Sequence, residues 1–198
     1  MPSELAAHAH PLVESKLEAL TTLRVVVAVV GDAAVGKSAL LAPSPFPRGY
    51  VPTLTPAVSS RLVRVPGGAR VQADLVLIEV PGSPLCDAAT ADAALARAAA
   101  VLVVYAVDSR ASLAAAGRWA RRGLRAPGVA DAGLRGALVA QKADLRAAGR
   151  GEVSAAEGAA LAAELGLAFF EASAEAGSGL DAVFEHLAAE VARAGDEA

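Results

Sequence analysis

Cysteine is almost absent from this 198-residue chain: Cys86 stands alone. A single thiol excludes an intramolecular disulfide and any multi-thiolate metal centre, and it points to a reducing compartment. The thiol itself reads as buried or idle. Lysine is nearly as scarce, confined to Lys16, Lys37 and Lys142. With 21 Asp and Glu against 18 Lys and Arg, the formal charge is −3, too small for broad attraction to nucleic acid or anionic lipid. The longest apolar runs, "VVVAVV" and "AAAVLVVYAV", fall well short of the ~20 residues a membrane-crossing helix needs, and both suit buried strands. The opening "MPSELAAHAH" lacks the charged-then-apolar order of a secretory signal, and Pro2 is no myristoylation site. The closing "ARAGDEA" offers no cysteine to prenylate.

What is present is a hydrophobic content of 55% with 20% charged residues, which excludes disorder, at a length that buries one full core. Residues 1–21 read as an N-terminal extension, a short helix or a loose segment, with Ser3 as a candidate cap and Pro11 interrupting it. Residues 22–194 read as one domain and 195–198 as a short tail. Within the domain, strand-like runs at 24–30, 57–65, 70–80, 101–107, 136–141 and 168–172 alternate with helical stretches at 87–99, 110–125, 154–165 and 178–193. This pattern predicts an α/β fold: a six-stranded, mostly parallel sheet with helices on both faces. The second and third runs are joined only by "PGG", too short for a crossover, so they form the one antiparallel pair. In the last helix Leu180, Val183, Phe184, Leu187 and Val191 recur at helical spacing and face inward. Trp119 reads as core, beside Leu113, Ala116, Ala120 and Leu124, while Asp108 and Ser109 read as caps of that helix.

The stretch "GDAAVGKSAL", residues 31–40, fits Gly-x-x-x-x-Gly-Lys-Ser. It begins where an apolar strand ends and runs into a helix start, the arrangement a phosphate-binding loop requires. Gly31, Asp32, Ala33, Ala34, Val35 and Gly36 wrap a diphosphate with backbone N–H groups, and the helix entered at Lys37, Ser38 and Ala39 adds the positive end of its dipole. Lys37 reaches the phosphates, and Ser38 offers its hydroxyl oxygen to Mg2+. The loop alone does not choose between ATP and GTP.

Further along stand "YVPTLT", "EVPG", "QKAD" and, after the last strand, "ASA". With the loop, their order and spacing over about residues 23–193 resemble the Ras superfamily of small GTPases, P-loop NTPases with a G domain. The resemblance implies that Asp144 pairs with the guanine ring N–H and amine. It also implies that Lys142 lies along the base, that Gln141 stands in the base motif, and that Ser173 and Ala174 close the pocket, with the Ala174 N–H on the guanine oxygen. Thr53 and Glu79 would join Ser38 at Mg2+, and Gly82 would offer its N–H to the third phosphate. On this reading the catalytic set is Lys37, Thr53 and Gly82. "LRVVVAVVGDAAVGKSALL", "EVPGSPL", "LRGALVAQKADL" and the missing lipidation cysteine further resemble the Rab-like GTPases of the intraflagellar transport B complex. That likeness implies GTP/GDP and Mg2+ as cofactors and protein partners including a small β-sandwich subunit. It also implies a cytoplasmic and ciliary location, without nucleic acid, lipid anchor or homo-oligomer.

Four departures from the superfamily pattern bear on mechanism. Ser83 replaces the water-positioning glutamine, so hydrolysis should be slow. Ala33 replaces a common glycine and crowds the transition state. Glu79 and Gln141 are each one carbon longer than the usual Asp and Asn, which shifts the metal carboxylate and loosens the base loop. Pro43 ends the helix after the loop early, leaving an abbreviated first switch or a sequence lacking a piece. Three alternatives remain open: a pseudo-GTPase that serves only as an interaction module, an ordinary non-prenylated Rab-type trafficking GTPase, and a P-loop ATPase or nucleotide kinase. His8, His10 and His186 form no metal cluster, and Arg118, Arg121, Arg122 and Arg125 read as a solvated helix face.

Overall fold

The computed structural model describes residues 20–42, 51–68, 70–83, 86–134 and 136–196, with residue 196 described by its backbone alone. Ser3, His8, His10, Pro11 and most of the extension lie outside the described residues, as do Pro43 to Tyr50 of the first switch and the final two residues of the tail. The strands are β1 (Thr21–Val30), β2 (Ala57–Arg64), β3 (Val71–Glu79), β4 (Ala100–Ala106), β5 (Gly136–Gln141) and β6 (Ala168–Ala172). They pair in the order β2-β3-β1-β4-β5-β6. β1 is parallel to both neighbours, with Val27 opposite Leu77 and Val29 opposite Leu102. β2 alone runs antiparallel, Val58 facing Ile78, because the chain reverses at Pro66 and Gly67 with Gly67 at φ +77°. β1 begins earlier than its apolar run: Thr21 and Thr22 extend the ladder opposite Val71 and Gln72.

The helices are α1 (Lys37–Leu41), α2 (Ala88–Ala96), α3 (Arg110–Leu124), α4 (Pro127–Ala132), α5 (Asp144–Ala147), α6 (Ala155–Leu165) and α7 (Leu180–Asp196). α1 and α7 cover one face of the sheet, and α2, α3, α4 and α6 the other. β4 is buried along its whole length, so its aliphatic side chains feed both cores. Each fully buried Val or Leu contributes roughly 1.5–3 kcal/mol of transfer free energy. α7 packs as its periodicity predicts, with Val183, Phe184 and Leu187 enclosed. α3 differs: its buried positions are Ser112, Ala115, Ala116, Gly117, Ala120 and Gly123, while Leu113 and Leu124 are only partly covered. The reason is close approach, since a Cβ on Gly123 would come within 2.8 Å of Val101.

α4 and α5 were not anticipated. α4 is marked by Pro127 at its first turn and by Gly133 in the left-handed region at φ +67°. α5 spans only one turn and has no periodicity to read. Because β1, β3, β4, β5 and β6 run the same way, their carboxyl ends share one edge of the sheet. The loops that begin at 31, 80, 107, 142 and 173 therefore converge there, where open α/β sheets bind ligands. No helix among the described residues is long and apolar enough to cross a membrane.

Candidate nucleotide and metal site

The loop leaving β1 is shaped by three positive-φ residues. Gly31 sits at φ +145° against β4, where a Cβ would fall 2.2 Å from the Val104 carbonyl oxygen. Gly36, at φ +99°, leaves no room for a Cβ beside the Gln141 side chain. Ala34 takes the left-handed conformation at φ +62° despite its methyl, at a cost of about 1–2 kcal/mol. Val35 anchors the loop in the core. Lys37 is only 5% exposed and donates to the carbonyl oxygens of Gly31 and Asp32, each at 2.8 Å. Burial lowers its pKa to about 8, with the Glu79 and Asp32 carboxylates pulling it partly back up. The ammonium therefore remains charged at neutral pH inside the loop.

α1 has five residues, so its dipole adds little, and the loop amides with the Lys37 charge carry most of the attraction for an anion. The helix stops because Ala42, preceding Pro43, turns extended at ψ 141°.

Ser38, Thr53 and Glu79 meet beside the loop. The Ser38 hydroxyl donates to Glu79 Oε1 at 2.6 Å, the Thr53 hydroxyl reaches the same oxygen at 3.2 Å, and the two hydroxyls lie 3.1 Å apart. Glu79 is 5% exposed. An all-oxygen set with one carboxylate fits a hard cation such as Mg2+ and not a thiolate- or imidazole-seeking metal. The longer Glu79 side chain brings its carboxylate into direct contact with Ser38. Among the described residues no group of three or more His, Cys, Asp or Glu side chains forms a separate metal site. His186 packs against Phe170, with ring centroids 5.3 Å apart.

The second half of the site follows β5 and β6. Gly36, Ala39, Gln141, Lys142, Asp144, Leu145, Ala174 and Glu175 line a cavity of about 180 Å³. Asp144 opens α5 and accepts the Ser173 hydroxyl on Oδ1 at 2.5 Å. Ser173 in turn accepts the Ala176 N–H at 3.0 Å, so the carboxylate is held from the β6 side. Lys142, at φ +64°, reaches Asp108 at 3.1 Å. That pairing corrects the assignment of Asp108 as a cap: Ser109 alone caps α3, accepting the Ser112 N–H at 3.2 Å.

Gln141 is 1% exposed, and its Oε1 accepts the N–H groups of Lys142 at 3.0 Å and Ala174 at 3.3 Å. Its Nε2 has no hydrogen-bond partner among the described residues. The extra methylene thus lets Gln141 occupy the Ala174 N–H that was expected on the base oxygen. Against the phosphate loop, the Gln141 side chain packs on Gly36.

The switch segment lies against the loop. The Ala33 N–H donates to the Gly82 carbonyl at 3.1 Å, and a Cβ on Gly82 would sit 2.2 Å from the Asp32 carbonyl carbon. Ser83 follows, half-buried at a cavity of about 360 Å³ shared with Cys86 and Trp119. Trp119 is not simply core: its ring packs on the inner cluster, while its indole N–H donates to Asp32 Oδ1 at 3.1 Å. The sequence carried no signal for this contact, or for the Asp108–Lys142 pair, because both join segments far apart in the chain. The arginines of α3 are partly committed as well, Arg121 to Glu164 and Arg122 to Asp92.

A family model described as the Ras family matches residues 26–193. No curated protein matches the chain.

Replacing Ser38 by Asn removes a hydroxyl from the oxygen cluster. Mg2+·GTP affinity is expected to fall by at least about tenfold, with a smaller loss for GDP, in competition titrations. Equal losses for the two nucleotides would contradict Ser38 as a metal ligand.

Proposed function

The chain belongs to the Ras family, and from that premise we propose that it is a slowly hydrolysing, Rab-like GTP switch working as a subunit of a transport complex. Ras-family domains bind GTP and GDP with Mg2+ and hydrolyse GTP. The observation that carries the reading for this chain is a convergence at one sheet edge. The Lys37 loop, the Ser38–Thr53–Glu79 cluster and the Asp144 cavity all lie there, a set suited to the phosphates, the metal and the base of a guanine nucleotide.

The roles follow from the contacts. The loop amides and Lys37 hold the phosphates and neutralise charge that builds on the bridging oxygens during hydrolysis. Ser38, Thr53 and Glu79 would hold Mg2+, which supplies Lewis-acid charge neutralisation at the phosphates. Asp144 accepts the ring N–H and amine of guanine, a pairing adenine cannot offer. Gly82 offers its N–H to the third phosphate, while its carbonyl accepts the Ala33 N–H. Thr53 ties the first switch to the metal. Both contacts depend on the third phosphate, so the segments order with GTP and relax with GDP.

Slow hydrolysis is supported by Ser83, whose side chain is too short to orient a water as a glutamine does, and by Ala33, whose N–H bonds the Gly82 carbonyl one residue before Ser83. A partner surface is supported by Val51, Leu54, Val58 and Leu62, each more than 60% exposed and flanking Thr53 or lining β2. The transport assignment rests on the likeness of "EVPGSPL" and "LRGALVAQKADL" to the Rab-like GTPases of the intraflagellar transport B complex. On that reading the partner is a small β-sandwich subunit, and the site of action is cytoplasmic and ciliary. A second reading, an interaction module that holds no nucleotide, draws on the engaged Ala174 N–H and on the satisfied Lys37 ammonium.

Ser83→Gln is expected to raise single-turnover GTP hydrolysis by roughly tenfold over a slow wild type. Brisk wild-type turnover, or no gain in the variant, would contradict the slow-switch mechanism. Leu62→Asp is expected to abolish GTP-dependent co-elution with the reconstituted transport complex while leaving GDP retention intact. Co-elution that ignores both the variant and the nucleotide would remove the switch from the assembly role.

A further inference from the structure

Asp32 poses an electrostatic problem. A carboxylate inside a loop built to hold phosphates repels the very ligand the loop serves, unless something fixes it elsewhere. Three contacts restrain this residue. Its carbonyl oxygen accepts Lys37 Nζ at 2.8 Å, Gly82 presses on its peptide with no space for a Cβ, and its carboxylate accepts the Trp119 indole N–H at 3.1 Å. The Lys37 ammonium also attracts the Asp32 carboxylate through space, but only the last contact is a hydrogen bond to the carboxylate oxygens. It spans 87 positions of sequence, from the loop to the middle of α3, and draws the carboxylate toward α3.

Trp119 is itself held from two sides. Its ring packs against the inner core, and the Arg122 guanidinium lies over it, 5.6 Å from the ring centroid. Arg122 is in turn fixed to Asp92 Oδ1 at 2.8 Å and to the Ala88 carbonyl oxygen at 2.8 Å, both on α2. The donor that orients Asp32 is therefore rigid. The same cavity of about 360 Å³ touches Asp32, Gly82, Ser83 and Trp119, so the indole stands where the phosphate loop, the switch segment and α3 meet.

We propose that Trp119 is a positioning residue for the phosphate loop: its N–H holds the Asp32 carboxylate away from bound diphosphate and so sets how long a nucleotide stays. The inference rests on the reading of the site as a guanine nucleotide site, and it adds to that reading a residue outside every motif of the sequence. The bond is a neutral donor to a charged acceptor, worth more than a neutral pair, and losing it frees the carboxylate to swing toward the phosphates.

The test is the dissociation rate of a fluorescent GDP from the wild type and four full-chain variants loaded with it in Mg2+. Trp119→Phe keeps the ring and removes the donor, and Asp32→Asn keeps an acceptor and removes the charge. Asp32→Ala removes the acceptor outright, and the fourth variant combines Trp119→Phe with Asp32→Asn. Trp119→Phe is expected to speed release by about tenfold. Asp32→Asn and Asp32→Ala should release at or below the wild-type rate, because the repelling charge is gone. In the double variant the Trp119 effect should vanish, since a neutral residue needs no restraint. A merely structural tryptophan would speed release equally in the wild-type and Asp32→Asn backgrounds. Equal acceleration in both backgrounds, or no acceleration by Trp119→Phe, overturns the positioning role alone. A wild type that retains no GDP overturns both the inference and the nucleotide reading. Should Trp119→Phe fail to fold, Asp32→Asn decides by itself: faster release than wild type overturns the proposal, and equal or slower release supports it.

Discussion

A lysine ammonium enclosed by backbone carbonyls is the constraint on which this end of the molecule depends. Lys37 is a buried cation, and a buried cation is tolerated only when its donors are satisfied. The loop satisfies two of its three N–H donors by turning the Gly31 and Asp32 carbonyls inward, and that turn demands the positive φ values at Gly31, Ala34 and Gly36. The shape cannot be altered piecemeal. A Cβ at Gly31 meets β4, one at Gly36 meets Gln141, and one at Gly82 meets the loop itself. The loop is thus packed on β4, the base loop and the switch segment through three glycines, and the ammonium supplies the charge that makes the enclosure a site for an anion.

The sheet positions everything else. Five site residues stand at or just past the carboxyl end of a strand: Gly31 after β1, Glu79 at the end of β3, Asp108 after β4, Gln141 at the end of β5 and Ser173 after β6. Side chains distant in sequence reach hydrogen-bonding distance because the register of the parallel strands is fixed by the pattern of buried residues. Ser38 and Glu79, 41 positions apart, and Asp144 and Ser173, 29 apart, are brought together in this way. Contacts made at one corner then bear on others: Gly82 bonds to Ala33, Ala33 adjoins Asp32, and Asp32 is tied to α3.

How much of this was legible depended on whether the signal was local. The strand runs, the hairpin at "PGG", the inward stripe of α7 and the phosphate loop all announce themselves within a few consecutive residues, and the structure has them where periodicity and turn chemistry place them. α4 was missed although its Pro127 and Gly133 are ordinary start and stop signals, because six residues carry no usable periodicity. On α3 the expected face does pack on the core, but its bulky members Leu113 and Leu124 are only partly covered and the small residues pack closest, a ranking the sequence does not display. The Asp108–Lys142 pair and the Trp119–Asp32 bond are long-range and single, and nothing near either residue in sequence points to its partner. The effect of Gln141 was readable only in part. Its extra methylene is evident from sequence, but the capture of the Ala174 N–H depends on how the buried side chain folds back.

The central claim is that the Lys37 loop grips phosphates while Asp144 selects guanine. Mass analysis of the nucleotide extracted from the purified, undenatured chain tests both parts at once. The account predicts guanine nucleotide, chiefly GDP, at close to one per protein molecule. Adenine nucleotide in its place would contradict the role of Asp144, and protein free of any nucleotide that also fails to take up GDP with Mg2+ would contradict the cradle itself.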